Sequence, residues 1–143
     1  MTPPKHIEVL LVEDNAADVV LIRRALADEP FPITIHVAAD GEQAVDMLTA
    51  RCCDPDLVIL DLNLPKLSGL SLLERIRPQV PVVVFSSSTC SDEIRRSFEL
   101  GVRDFVTKPS DLESFGREIS YIVRRWGAGA GGSGNGNGVI FDR

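Results

Sequence analysis

Four apolar runs in this chain end in side chains able to do chemistry. Leu57-Val58-Ile59-Leu60 ends in Asp61, and the run from Ile7 to Val12 ends in Glu13 and Asp14. Val82 to Phe85 is followed by Ser86, Ser87 and Ser88, and Phe105 to Thr107 by Lys108 and Pro109. A short continuous apolar run marks a strand buried on both faces. A carboxylate is seldom left at the end of such a strand without a partner. If the first and third runs are neighbours, Asp14 and Asp61 crowd each other. Two unit charges ~5 Å apart repel by roughly 3 kcal/mol at an effective dielectric near 20. Acids that stay ionised in such a cluster need a cation. Oxygen ligands suit Mg²⁺, which takes one or two carboxylates and leaves positions for water and phosphate oxygens. Lys108 supplies a second positive charge, and the Ser86 hydroxyl can donate to a phosphoryl oxygen. Together they describe phosphoryl transfer to a carboxylate, with Asp61 as nucleophile.

These groups meet only if the elements between them bring the run ends together. Strand-like runs recur at 7–12, 33–37, 57–60, 82–85 and 105–107, separated by segments of helical periodicity. Asn15 is suited to cap the first helix, with Asp18 in its first turn and Val20, Leu21 and Ala25 on one face. Asp40 opens the second helix with Gln43 at capping-box spacing, and the third follows Ser68. The fourth runs from about Ser91 to Leu100 and stops at Gly101. Ser110 and Glu113 read as a capping box for the fifth. Its apolar stripe is Leu112, Phe115, Ile119, Ile122, Val123 and Trp126, and it stops at Gly127. Five strands alternating with five helices specify an α/β fold: a doubly wound parallel sheet with right-handed crossovers. Thr34 and His36 place the second strand at an edge. In such sheets ligands bind beyond the carboxyl ends of the strands, where the strand order reverses. The residues after the second strand, Ala38, Ala39 and Asp40, are ordinary helix capping.

With 143 residues, 44% of them hydrophobic and 25% charged, the chain has the material for one domain with a core. The net charge of −6 argues against a nucleic-acid surface. The Arg23-Arg24, Arg95-Arg96 and Arg124-Arg125 pairs read as solvated helix faces. Cys52, Cys53 and Cys90 have neither disulfide-framework nor metal-ligand spacing. No stretch reads as a signal peptide or a membrane span, so the expected location is cytoplasmic, with no membrane partner. His6 and His36 are too few and too far apart in the sequence for a metal site, and neither reads as a phosphohistidine donor. Residues 127–143, Gly-rich and without periodicity, are expected to be a flexible tail after a domain spanning 1–126.

The chain resembles the receiver domain of two-component response regulators. The matching residues are Glu13-Asp14 in "LVEDNAADV", Asp61 in "DLNLPKLSG", Ser86 in "VVVFSSS", and Phe105 and Lys108-Pro109 in "DFVTKP". "VEDNAADVVLI", "LDLNLPKLSG" and the Trp-ended last helix further resemble the short stand-alone regulators paired with bacteriophytochrome-type histidine kinases. The resemblance implies a flavodoxin-like (βα)5 sheet in strand order 2-1-3-4-5. It implies that Asp61 accepts a phosphoryl group from a kinase phosphohistidine with Mg²⁺ as cofactor. Asp14 would bind the ion directly and Glu13 through water, with the Asn63 backbone carbonyl and Asp61 completing the ligands. Lys108 would pair with the phosphoryl group, Ser86 would turn toward it, and Phe105 would move inward. The Lys108–Pro109 bond would be cis. The donor would be a separate kinase or phosphotransfer protein, and a homodimer through the helix 4–strand 5–helix 5 face is a further expectation. On this reading the chain catalyses only its own phosphorylation and dephosphorylation.

Three other classes remain. An aspartyl-nucleophile phosphatase or phosphotransferase would read "DLN" as a degraded Asp-x-Asp motif; against it, Asp61 follows the third strand and no second acid is present. A flavin-binding module would need a phosphate-cradling loop where Glu13-Asp14 stand. A receiver-like interaction module that is never phosphorylated would have no use for the intact acids, Ser86 and Lys108.

Overall fold

The computed structural model describes residues 6–50 and 54–127. Cys52, Cys53 and all of the expected tail beyond Gly127 lie outside them. Five strands form one parallel sheet: β1 (Ile7–Val12), β2 (Ile33–Ala38), β3 (Leu57–Leu60), β4 (Val82–Ser86) and β5 (Asp104–Thr107). Their order is β2-β1-β3-β4-β5, as expected. The helices are α1 (Ala16–Ala27), α2 (Gly41–Thr49), α3 (Gly69–Ile76), α4 (Ser91–Glu99) and α5 (Leu112–Ile122). β3 and β4 are buried at every position, whereas β2 is only half-buried until Ala38, as its polar residues require of an edge.

Alternate strand residues feed two cores, the period-2 consequence of the pleat. Ile7, Val9 and Leu11 pack with Ile22 and Leu26 of α1 and with Phe115, Ile119 and Ile122 of α5. Leu10, Val12, Val58 and Leu60 pack on the other face with Ala44 of α2 and with Leu72 and Leu73 of α3. The order reverses between β1 and β3, where Val12 stands opposite Leu60. The next residues, Glu13 and Asp61, are thereby set side by side, and the Asp61 N–H donates to the Val12 carbonyl at 3.0 Å.

Several local expectations shift. The buried residues of α1 are Ile22 and Leu26, while Val20 is 53% exposed. Four consecutive apolar residues, Val19 to Ile22, leave the face ambiguous until the sheet selects one. Leu112, assigned to the α5 stripe, is exposed. Asp111 rather than Ser110 caps α5: its carboxylate accepts the Ser114 N–H at 2.8 Å, a bond that holds its pKa below the usual range. The caps by Asn15, Asp40 and Ser68 stand where expected. Gln43, however, accepts the N–H of Ala39 rather than that of Asp40. α5 ends in a π-helical turn over Val123–Gly127 rather than a simple stop. Among the described residues no peptide bond is cis, so Lys108–Pro109 is trans, the form an X-Pro bond prefers by about 0.5–1 kcal/mol. His36 of β2 reaches Glu8 of β1 across the strand pair at 2.7 Å, and His6, two residues before Glu8, approaches the same carboxylate at 3.5 Å.

Gly69 opens α3 directly beneath the acid-bearing loop. A Cβ there would stand 2.7 Å from Leu62 Cα and 2.9 Å from the Asp61 carbonyl oxygen. Both are backbone atoms that cannot swing aside. Gly69→Ala should therefore cost about 1–3 kcal/mol of stability, as overpacking does. Urea unfolding checks this; an unchanged midpoint would mean the loop yields freely.

Candidate functional site

The carboxyl ends of β1, β3, β4 and β5 form one rim, and each supplies side chains to it. β1 delivers Glu13 and Asp14, with Glu13 buried and Asp14 exposed. β3 delivers Asp61, also buried, whose Oδ1 accepts the Asn63 N–H at 3.1 Å. Oxygen atoms of Glu13, Asp14 and Asp61 lie within 4.8 Å of one another. Opposite ligands of an octahedral ion with ~2.1 Å bonds stand about 4.2 Å apart. Three hard oxygen donors at this spacing fit one divalent cation after small adjustments.

β5 delivers Lys108, whose side chain is 11% exposed. Its backbone N–H donates to the Ser86 carbonyl at 2.9 Å, which ties the β5 end to β4. The ammonium donates to three carboxylates: Asp18 Oδ2 at 2.7 Å, Glu13 Oε1 at 2.8 Å and Asp61 Oδ2 at 3.1 Å. Burial opposes the charge on Lys108, but the bonds to Asp18 and Glu13 prevail and hold its pKa above the usual lysine range. The ammonium therefore persists throughout the physiological range.

Ser86 is fully buried, and its hydroxyl oxygen accepts the Ser88 N–H at 3.3 Å. Ser88 in turn donates to Glu93 in the first turn of α4, linking the rim to that helix. Phe105 is half-buried against the core cluster on the α2–α3 face. Pro109, half-buried, follows Lys108. Asn63 lies in the exposed loop after Asp61. Cys90, at the N-terminal end of α4, is a free exposed thiol.

Sequence reasoning missed one participant. Asp18 read as a first-turn acid of α1, yet it makes the shortest bond to Lys108, from 90 residues away. The available signal was its place in the first turn of α1, three residues past the Asn15 cap and just after the rim acids Glu13 and Asp14.

The pKa of the Glu13 carboxyl is raised from 4.5 to about 7 by burial first, with the Asp61 charge pushing the same way against the Lys108 bond. In chelator the folded protein keeps this proton where the unfolded chain has lost it. The resulting stabilisation is complete below pH about 4.5 and is lost as pH rises to about 7. Glu13→Gln, similar in shape but non-titrating, should remove that part of the pH slope. Denaturant melts of both proteins at several pH values in EDTA check it. Parallel stability curves for the two would exclude Glu13 as the source.

A five-stranded 2-1-3-4-5 sheet with two acids after β1, one after β3, a hydroxyl after β4 and a lysine after β5 defines a class of signalling domain. The response regulator receiver domain family matches residues 9–120, and the chain belongs to it. Among its relatives is the response regulator Rcp1 of Synechocystis, 33% identical over 87% of this chain and 90% of that protein. The phosphorylated cyanobacterial phytochrome response regulator RcpA superposes with a TM-score of 0.81 at 37% identity, covering 85% of this chain and 94% of the other. The Mn²⁺-bound form of Rcp1 gives a TM-score of 0.79 at 31% identity, over 84% and 94%. Other relatives are longer: the chain spans 50% of the Caulobacter vibrioides cell cycle regulator CtrA and about a third of several protein-glutamate methylesterases. The protein is thus a response regulator receiver of the phosphorylatable kind, similar to phytochrome response regulators. No described helix is long and apolar enough to cross a membrane.

Proposed function

We propose that this receiver takes a phosphoryl group from the phosphohistidine of a separate histidine kinase onto Asp61, with Mg²⁺ as cofactor. The observation that carries this reading is the convergence of Glu13, Asp14 and Asp61 within 4.8 Å, with the Lys108 ammonium 3.1 Å from Asp61. A carboxylate oxygen of Asp61 attacks phosphorus as the bond from phosphorus to the donor breaks, and the electron pair leaves with the donor. Mg²⁺, when bound, neutralises the negative charge that gathers on the phosphoryl oxygens. Glu13, Asp14, Asp61 and the Asn63 carbonyl would hold it. Lys108 neutralises the remaining charge from the opposite side. Ser86 supplies a hydroxyl donor, and its movement makes room for Phe105, so that the α4–β5–α5 surface changes.

The names of the relatives support a bacteriophytochrome-type kinase as donor. Phe98 on α4 and Tyr121 on α5 are exposed apolar side chains, which supports partner binding or homodimer formation through that face. Residues 1–126 constitute the receiver and 127–143 a Gly-rich tail. The receiver modifies only itself, turns over no external substrate, and works in the cytoplasm.

The test is incubation with acetyl phosphate and Mg²⁺ followed by intact mass measurement. Wild type should gain one phosphoryl group, stable in acid and labile in base. EDTA should prevent the gain. Asp14→Ala should lower the labelling rate by about 10²-fold or more, since it removes a metal ligand, while leaving the fold intact. Labelling that survives EDTA, or no labelling of wild type, would overturn the reading.

A further inference from the structure

We propose that Asp18 is a positioning residue for Lys108: its carboxylate anchors the ammonium while the other two acids turn to the divalent ion, and so sets how fast Asp61 captures phosphoryl groups. This rests on the receiver reading above and goes beyond it in giving α1 a part in the chemistry.

An ammonium has three N–H donors and no acceptor. Here all three are committed, to Asp18, Glu13 and Asp61. The partners are not equivalent. Glu13 and Asp61 belong to the acid group that can hold a cation, whereas Asp18 does not. A cation bound by that group draws the Glu13 and Asp61 oxygens toward itself and weakens their hold on Lys108. Two N–H groups then become available to phosphoryl oxygens. The third stays on Asp18, which is attached to a different element and is also the closest partner at 2.7 Å.

Without that third bond the ammonium sits on a flexible four-carbon stem, and fixing it costs rotamer entropy. Asp18 removes this cost before the phosphoryl donor arrives. It is well placed to do so. Its backbone N–H donates to the Asn15 cap at 3.0 Å, so the first turn of α1 is locked, and its side chain is 20% exposed. The anchor is therefore rigid at its base and mostly shielded at its tip.

Two variants separate positioning from charge. Asp18→Ala removes the acceptor; Asp18→Asn keeps a carbonyl oxygen in the same place without the charge. Labelling rates with acetyl phosphate and Mg²⁺ should fall about tenfold in Asp18→Ala and stay within about threefold of wild type in Asp18→Asn. The second readout is the ¹⁵N-edited NMR signal of the Lys108 ammonium in EDTA, assigned by its absence in Lys108→Arg. Slow proton exchange should hold in wild type and Asp18→Asn and be lost in Asp18→Ala. Equal labelling in all three, faster labelling in both variants, or an ammonium signal unchanged in Asp18→Ala would each overturn the proposal. The NMR readout needs no phosphorylation. An unlabelled wild type whose ammonium signal still depends on Asp18 would therefore refute the phosphoryl-acceptor reading, and with it the kinetic role of the anchor, while leaving the anchor itself in place.

Discussion

Asp61→Asn should leave a folded protein that takes up no phosphoryl group. The amide matches the carboxylate in size, and its oxygen can still accept the Asn63 N–H, so the loop after β3 keeps its shape. What the proposed reaction loses is its nucleophile: an amide oxygen does not form a stable acyl phosphate. Glu13 is 2% exposed and held by Lys108, which leaves it poorly placed to substitute. Removing one negative charge from the crowded rim also relieves repulsion, so stability should be equal to wild type or higher. We expect labelling by acetyl phosphate to fall by about 10³-fold or more, as the loss of a nucleophile does elsewhere. Intact mass measurement after matched incubations decides it. An adduct of equal yield on the variant would remove Asp61 from the acceptor role.

Lys108→Ala should have the largest effect on stability. It strips the cation from three carboxylates at once, two of them with side chains under a tenth exposed. Leaving a buried charge without its partner costs about 3–5 kcal/mol. Glu13 provides a partial escape, because its pKa is already raised to about 7 and it can take up a proton. In EDTA the penalty should therefore be smallest below pH about 7 and grow as pH rises above it, since losing Lys108 pushes the Glu13 pKa further up. Mg²⁺ should recover part of it by replacing the missing positive charge. Urea melts of wild type and variant, with chelator and with Mg²⁺, read all three effects. A variant as stable as wild type in EDTA at high pH would show that the rim acids are solvated well enough to need no counter-ion.

Much of this site was legible because strand ends are local events. A polar side chain that follows an apolar run is visible in the sequence, so Asp61, Glu13, Ser86 and Lys108 announced themselves, although the first three are themselves buried. The caps were legible for the same reason: Asn15, Asp40 and Ser68 bond to N–H groups three residues away. The errors came where two local solutions were nearly equal. Ser110 and Asp111 are both good caps, and the carboxylate prevailed. Val20 and Ile22 are both apolar, and only contact with the sheet chose Ile22.

By itself the sequence determined the alternation of strands and helices, the buried character of β1, β3 and β4, and the kinds of groups at their carboxyl ends. Those properties follow from the period of apolar residues and from turn chemistry, which act over a few residues. Only the tertiary structure decided that Asp18 shares the Lys108 ammonium and that His6 and His36 meet at Glu8. These contacts span 90 residues in the first case and 28 between Glu8 and His36 in the second. Such pairings depend on which strands are neighbours and on where a helix leaves the sheet, and chain periodicity carries no record of either.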